Sequence, residues 1–442
     1  MKKFFSLVLA LALLTSCLSF AAAEDKVTLT VWSFTDELGG MIDNNFKPAH
    51  PEIEIVYQMY PFSDFPGKLD TVLATNSADA PDVFALEAAF VKKYVDSDYT
   101  ANLKDVGFTD EEFGKLIPAV VEIGTDARTD AVKALSWQST PGALFYRTSL
   151  AEKYLGITNP EDFQAAVADW DTFFETAIEL DEASEGAVKM FSSLGDIYNP
   201  FFYAREHGWV EDGKLVIDDV LYDYLDYALM AEEDGVFNLA TQWTETWFAG
   251  FKTDITMCYF LPTWGLHYIL KPNCGNYDAE NEAALPDTEG TFGDWTMVVG
   301  PSAYSWGGTW IGANAAKVAE ADDAKKAAIK ELIHFMTVNE DQLYTYAKAS
   351  GDFVSNRAVC EKIVAEGGTP NAFLGGQDHY SAFINSAALI NGSIVTRYDA
   401  DINGYFDSHA VIPYSKGEKD MDTAIADFKN EVKAAFTDLI VE

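Results

Sequence analysis

Apolar residues alternate with threonine through Val27-Thr28-Leu29-Thr30-Val31, the period of a half-buried strand, and the run closes on Trp32. The period then changes. Leu38, Met41, Ile42 and Phe46 follow Asp36 and Glu37 at helical spacing, and Pro48 and Pro51 close that helix. A second strand is predicted over Ile53 to Tyr57, a second helix from Phe65, Leu69, Val72 and Leu73, and a third strand over Asp82 to Leu86. Strands and helices alternating in this way predict a parallel, doubly wound sheet, whose ligands sit beyond the carboxyl ends of its strands. Trp32, Tyr60 and Glu87 then share one rim.

Further along, Thr109 to Glu112 reads as a capping box opening a helix through Val120. Ala134 to Trp137 and Ala143 to Tyr146 read as strands on either side of Gln138-Ser139-Thr140-Pro141-Gly142, a turn or crossing that marks the first boundary between two halves. Helices are expected after Asn159, from Trp170 toward Leu180, and from Asp218 to Glu233, with a hairpin turn at Glu211-Asp212-Gly213. Ile255 to Tyr259 reads as a strand that delivers Leu261-Pro262-Thr263-Trp264-Gly265 into a loop, and Trp295 to Val299 as another. Asp278 to Gly290 is expected to be an exposed acidic loop. The last third is helical, interrupted at Ser350-Gly351-Asp352.

A length of 442 residues exceeds one ordinary core and fits two lobes. Lys2 and Lys3 precede an apolar run, Phe4 to Leu14, which is the pattern of an export leader. Two processing sites compete: Leu14-Thr15-Ser16-Cys17 resembles a lipobox that would lipidate Cys17, and Ala21-Ala22-Ala23 fits a simple cleavage ahead of Glu24. Lipidation at Cys17, and so a membrane anchor, is the favoured reading. Cys258, Cys274 and Cys360 are too few and too irregular for a disulfide framework; Cys258 and Cys274 could pair, and buried free thiols are the favoured reading. A formal net charge of −40 makes nucleic acid an improbable partner.

The densest concentration of large aromatic faces and bare backbone is Tyr304 to Asn314, where Trp306-Gly307-Gly308-Thr309-Trp310 sets two indoles around a glycine pair. Glycine lets the chain bend and another body approach closely, and tryptophan offers a broad face with one donor, a combination suited to a sugar ring. A tight turn between core strands would use the same residues. Trp137, Trp264, Trp306 and Trp310 are the candidate platforms, with Trp310 favoured, whereas Trp170, Trp209, Trp243, Trp247 and Trp295 are assigned to packing. Asp36, Glu87, Gln138 and Asp352 are candidate partners for hydroxyl groups, and Arg357 and Arg397 are read as structural ion pairs. Asp399 to Gly404 resembles the first half of a calcium loop, but position twelve is Ala410, and helical spacing accounts for the stretch. No metal or cofactor is expected. The six histidines are scattered, and no metalloprotease, serine-hydrolase or phosphate-loop motif is present, so no enzyme activity is expected. A secreted glycoside hydrolase stays as the alternative, because two carboxylates cannot be picked out in so acidic a chain.

With its leader, Leu29-Thr30-Val31-Trp32, Ala80-Pro81-Asp82-Val83-Phe84 and Trp-Gly-Gly-Thr-Trp in this order, the chain resembles the family 1 extracellular solute-binding proteins, the carbohydrate-binding lipoproteins of ABC importers. Trp137 to Arg147, Trp170-Asp171-Thr172-Phe173, Leu261 to Gly265 and Ser350-Gly351-Asp352-Phe353 extend the likeness over nearly all of the mature chain. It implies two α/β lobes, each a mostly parallel sheet flanked by helices, joined by a hinge of several crossings and closing on a neutral sugar. After a leader at 1–23, lobe 1 is expected over 24–138 and 307–350, and lobe 2 over 139–306 and 351–442. The resemblance turns Trp32, Glu87, Trp137, Gln138, Trp264, Trp306, Gly308 and Trp310 toward the cleft, and Asp36, Tyr60 and Asp352 complete the expected ligand set from their own positions, although the Pro often found beside Asp352 in the family is missing. Partners would be a small carbohydrate and the permease subunits of the importer, and the chain would act as an exported, surface or periplasmic monomer.

Overall fold

The computed structural model describes residues 26–442 and contains two main sheets, each flanked by helices, with a cleft between the two lobes. Cys17 and both proposed processing sites lie outside the described residues. The first sheet is built from β1 (Val27–Ser33), β2 (Ile53–Met59), β3 (Val83–Glu87) and β4 (Ala134–Ser136), and the second from β5 (Gly142–Arg147), β6 (Cys258–Pro262) and β7 (Trp295–Val298). β8 (Thr309–Ala313) returns to the first sheet, whose order is β2-β1-β3-β8-β4. The first three of these run parallel, and β8 runs against both β3 and β4.

The second sheet departs from the expectation of parallel pairing. Its ladders, β6 with β5 and β5 with β7, are antiparallel. Parallel pairing enters only at its edge, through single bridges from Lys189 to Thr256 and from Phe191 to Phe237. Strand direction is nevertheless the same in both sheets, one strand running against the others. The reason is topological. β3 and β4 run toward the cleft, whereas a strand entered by a crossing starts at the cleft and must run away from it. β5 and β8 are those strands, each met directly after the chain has changed sheets.

Three crossing segments lie side by side. Residues 137–142 form the middle ply, bridged antiparallel to Val354 at Gln138 and to Ser305 at Pro141. Ser139 N donates to Phe353 O at 2.9 Å, Trp306 N to Thr140 O at 3.1 Å, and Gly142 N to Tyr304 O at 2.7 Å. The Thr140 hydroxyl adds a bond to Gly307 O at 2.8 Å.

Period-two alternation splits β5 between two cores. Ala143 and Phe145 join the cluster that continues into the first lobe, and Leu144 and Tyr146 join the one capped by the C-terminal helices. The thiols of Cys258, Cys274 and Cys360 are buried and free.

Other expectations shift locally. The helix expected from Thr109 to Val120 is two short ones, Asp110–Phe113 and Pro118–Ile123, because Gly114 ends the first and Pro118 starts the second. The capping box at Thr109 and Glu112 is present. Residues 263–273 are helical, so Trp264 stands on a first turn and not in a loop. The acidic loop contains a small hairpin, Tyr277–Asp278 with Ala283–Ala284. Asp399–Phe406 is a helix, and Asp399 is engaged by Arg205 Nη2 at 2.6 Å and by Thr396.

Trp310 in β8 is 2% exposed and donates its indole N–H to Val120 O at 2.9 Å. It is a core residue, so Trp310→Ala should cost about 3–5 kcal/mol of stability. Urea unfolding of the purified variant measures that loss.

Candidate ligand-binding cleft

Two depressions open on the cleft, on either side of the crossing at Trp306-Gly307. Gly307 and Gly308 have φ of +77° and +112°, a region that side chains rarely tolerate. A methyl group on Gly307 would come within 2.9 Å of Trp264 Nε1, on one side, and 3.8 Å from Glu87 Oε1, on the other. At Gly308 it would meet the ring of Trp310 at 3.0 Å. Bare main chain therefore floors the cleft, with the Trp310 indole beneath it.

The first depression, of about 540 Å³, lies beyond the carboxyl ends of β1 and β6. β1 ends at Ser33, and Thr35 then caps the helix that carries Asp36 and Glu37 in its first turn. Gln138 comes from the middle crossing, Trp264, His267 and Tyr268 from the helix after β6, and Tyr346 and Asp352 from the end of the Glu340–Ser350 helix and the turn behind it. The Tyr346 hydroxyl bridges two acids, contacting Glu37 Oε1 and lying 3.1 Å from Asp352 Oδ2. Burial, reinforced by the charge of Glu37, pushes the Asp352 carboxyl up to about 7. Burial likewise pushes His267 down to about 4, which leaves the imidazole neutral.

The second depression, of about 380 Å³, lies beyond β3 and against the Leu194–Tyr203 helix. Glu87, Tyr198, Asn199, Tyr203, Trp306 and Asn403 line it together with Arg205. Burial raises the Glu87 carboxyl, although Ala89 N donates to it at 2.7 Å. Arg205 donates from Nε to Phe202 O at 2.7 Å and from Nη2 to Asp399, and its buried Nη1 has no partner among the described residues.

Of the residues expected at the site, Asp36, Gln138, Trp264 and Asp352 meet in the first depression, and Glu87 and Trp306 in the second. Tyr60 is half-buried at the end of β2, edge-on to Trp32 at 4.8 Å. Three tryptophans are corrected: Trp32, Trp137 and Trp310 are buried, Trp137 completely, and present no ring face to the cleft. Each lies where the strand pattern drives its side chain into the core.

Trp243 reverses in the other direction. It is 50% exposed, with φ of +69°, and its ring lies 5.7 Å from Trp306 and parallel to Trp264 at 6.4 Å. Trp264 meets Trp306 at 5.5 Å and anchors its own N–H on Trp306 O at 2.8 Å. These three indoles form one aromatic wall. Thr244 caps the following helix, which places Trp243 just outside it, and that cap was the signal available in the sequence. Glu37, Tyr346 and Arg205 carried no such signal: they are polar residues with no periodic mark, brought in by distant segments. Arg357 and Arg397 form the expected ion pairs, with Glu361 at 3.6 Å and Asp438 at 3.1 Å.

A family model described as bacterial extracellular solute-binding protein matches residues 42–365. No curated protein matches the chain. Among solved structures, an extracellular solute-binding protein of family 1 superposes with a TM-score of 0.78 at 19% identity, covering 92% of this chain and 99% of that one. The galacto-N-biose/lacto-N-biose I-binding protein of the ABC transporter from Bifidobacterium longum gives 0.68 at 14% identity, covering 95% and 99%. The cyclic α-maltosyl-1,6-maltose binding protein from Arthrobacter globiformis gives 0.67 at 15% identity, covering 92% and 98%. At these identities the shared property is the fold.

Asp352 makes the cleft sensitive to pH. An unfolded Asp releases its proton near its ordinary value, whereas the folded chain holds this one until about 7. The favourable contribution of this group is therefore present in acid and lost as the pH rises from the ordinary carboxylate range to about 7. Asp352→Asn should flatten that part of the stability profile and stabilise the chain most above neutrality. Chemical denaturation of both proteins across the pH range checks the difference.

Proposed function

The chain belongs to the bacterial extracellular solute-binding protein family, and from that premise we propose that it captures a sugar or oligosaccharide between its lobes and delivers it to the membrane permease of an ABC importer. The observation that carries this reading is the wall of Trp243, Trp264 and Trp306 standing over a glycine floor between the two lobes. Indole faces pack on the apolar faces of pyranose rings, and a few placed polar groups fix the hydroxyls. Two structural neighbours are binding proteins for galacto-N-biose/lacto-N-biose I and for a cyclic maltosyl-maltose, which supports the same ligand class.

In this reading Asp36, Gln138, Glu87 and Asp352 hold hydroxyl groups, Trp264 and Trp306 stack, and Gly308 lets the ligand approach main chain. Trp32 and Tyr60 support the lip of the first lobe, and Trp137 and Trp310 support the floor from beneath. Both lobes contact the sugar only when closed, so the ligand selects the closed state, with the three crossing segments as the hinge. Lobe 1 is assigned 24–138 and 307–350, and lobe 2 139–306 and 351–442. Acylation of Cys17 would tether the exported chain, as a monomer, beside its permease. Binding needs no bond to break.

Titration of the purified protein with a glycan panel, followed by tryptophan fluorescence and product analysis, tests the reading. Saturable binding without cleavage is expected, and bond cleavage by the purified protein would move it to the hydrolases. Trp264→Ala should weaken binding about five- to tenfold, the loss of one stacked ring. For the anchor, mass analysis of the mature N-terminus should show a diacylated or triacylated Cys17, and an unmodified chain starting at Glu24 would refute it.

A further inference from the structure

The depression beyond β1 and β6 carries negative charge that the protein does not balance. Asp36, Glu37 and Asp352 line it, and no Lys or Arg does. The basic groups packed around it are spent. His267 and, behind it, His379 are held neutral by burial, and Lys271 is paired with Glu282 at 2.5 Å. Only the second depression has a guanidinium, and Asp399 neutralises it.

Proton bookkeeping at Tyr346 sharpens this. Its hydroxyl has a single proton to give and touches both Glu37 and Asp352. If Glu37 receives that proton, Asp352 can approach the phenol oxygen favourably only by holding a proton of its own. Two carboxyl groups and a phenol thus share two protons, the phenol's own and the one on Asp352, and a cation could take the place of the second.

A separate observation points to a ligand at the same place. Gln138 is 9% exposed, its carboxamide makes no hydrogen bond among the described residues, and it faces the cavity beside Trp264. Tyr268, 72% exposed, and Trp264 add ring faces that attract a cation.

Resting on the sugar-binding reading, we propose that the ligand is an amino sugar, or an oligosaccharide ending in one, whose protonated amino group seats between Glu37 and Asp352 while Gln138 takes a neighbouring hydroxyl. An ammonium offers three donors and matches two carboxylates and the Tyr346 oxygen. It replaces the proton held at Asp352, which leaves to solvent as the ammonium enters. A neutral sugar can bond to the same acceptors but supplies no charge and displaces no proton. The acidic surface of the whole chain steers a cationic ligand toward the cleft.

Calorimetry on the mature protein, in two buffers of different ionisation heat, tests this with matched gluco- and galacto-configured mono- and disaccharides as free amine, N-acetyl and parent hydroxyl forms, and with putrescine. An amine form is expected to bind about tenfold or more tighter than its neutral counterparts, and to release a proton. Glu37→Gln and Asp352→Asn should each bring the amine down toward the neutral forms, with circular dichroism confirming that the variants fold. Neutral forms binding as tightly, without proton release, would overturn the amine and leave the sugar reading standing. Putrescine binding while no saccharide binds would overturn the sugar reading and leave recognition of an amine by the acid pair. Binding of neither amine would sink the proposal.

Discussion

The ladder among the three crossing segments is the constraint on which the rest of this molecule depends. Residues 137–142 are hydrogen-bonded to 353–355 on one side and to 304–307 on the other, so a main-chain ladder ties the two sheets. Backbone bonds of this kind hold register without filling space, which leaves room above them for a cleft. The same segments dictate strand direction. A chain that leaves one sheet at its cleft end and enters another must run away from the cleft, and β5 and β8 are therefore reversed within their sheets.

From that hinge the placement of the aromatics follows. Trp137, just past the end of β4, and Trp310, within β8, turn into the core below the crossings. Trp306 sits on the crossing itself, partly buried against both cores and lining the second depression. Trp243 and Trp264 come from loop and helix starts at strand ends, the positions from which a side chain can stand over the floor. Gly307 and Gly308 are required twice, for their positive φ and for the indoles lying against them.

Electrostatics divides the cleft into unlike halves. Arg205 and Asp399 neutralise each other in one, and Glu37, Tyr346 and Asp352 gather excess acid in the other. Charges of like sign stay close together in a buried place only when a proton or a cation sits among them. Burial and the neighbouring Glu37 charge raise the Asp352 carboxyl, and Gln138 lines the same depression.

By itself the sequence determined what local period and caps can specify. The alternation of β1, the order of strands and helices in the first lobe, the break at Ser350-Gly351-Asp352 and the crossing at Trp306-Gly307-Gly308 were legible because each is written in consecutive residues. So was the presence of Gln138, Glu87 and Trp264 near a cleft, through their positions at strand ends. Which tryptophans face the cleft was decided only by tertiary structure, because an indole is equally suited to a core and to a sugar, and burial depends on what covers it. That is why Trp243 was assigned to packing and Trp310 to the ligand, the reverse of where they stand. The meeting of Glu37 with Tyr346 and Asp352 joins segments more than 300 residues apart in sequence, and no local pattern encodes a contact that long-range pairing of the crossings brings about.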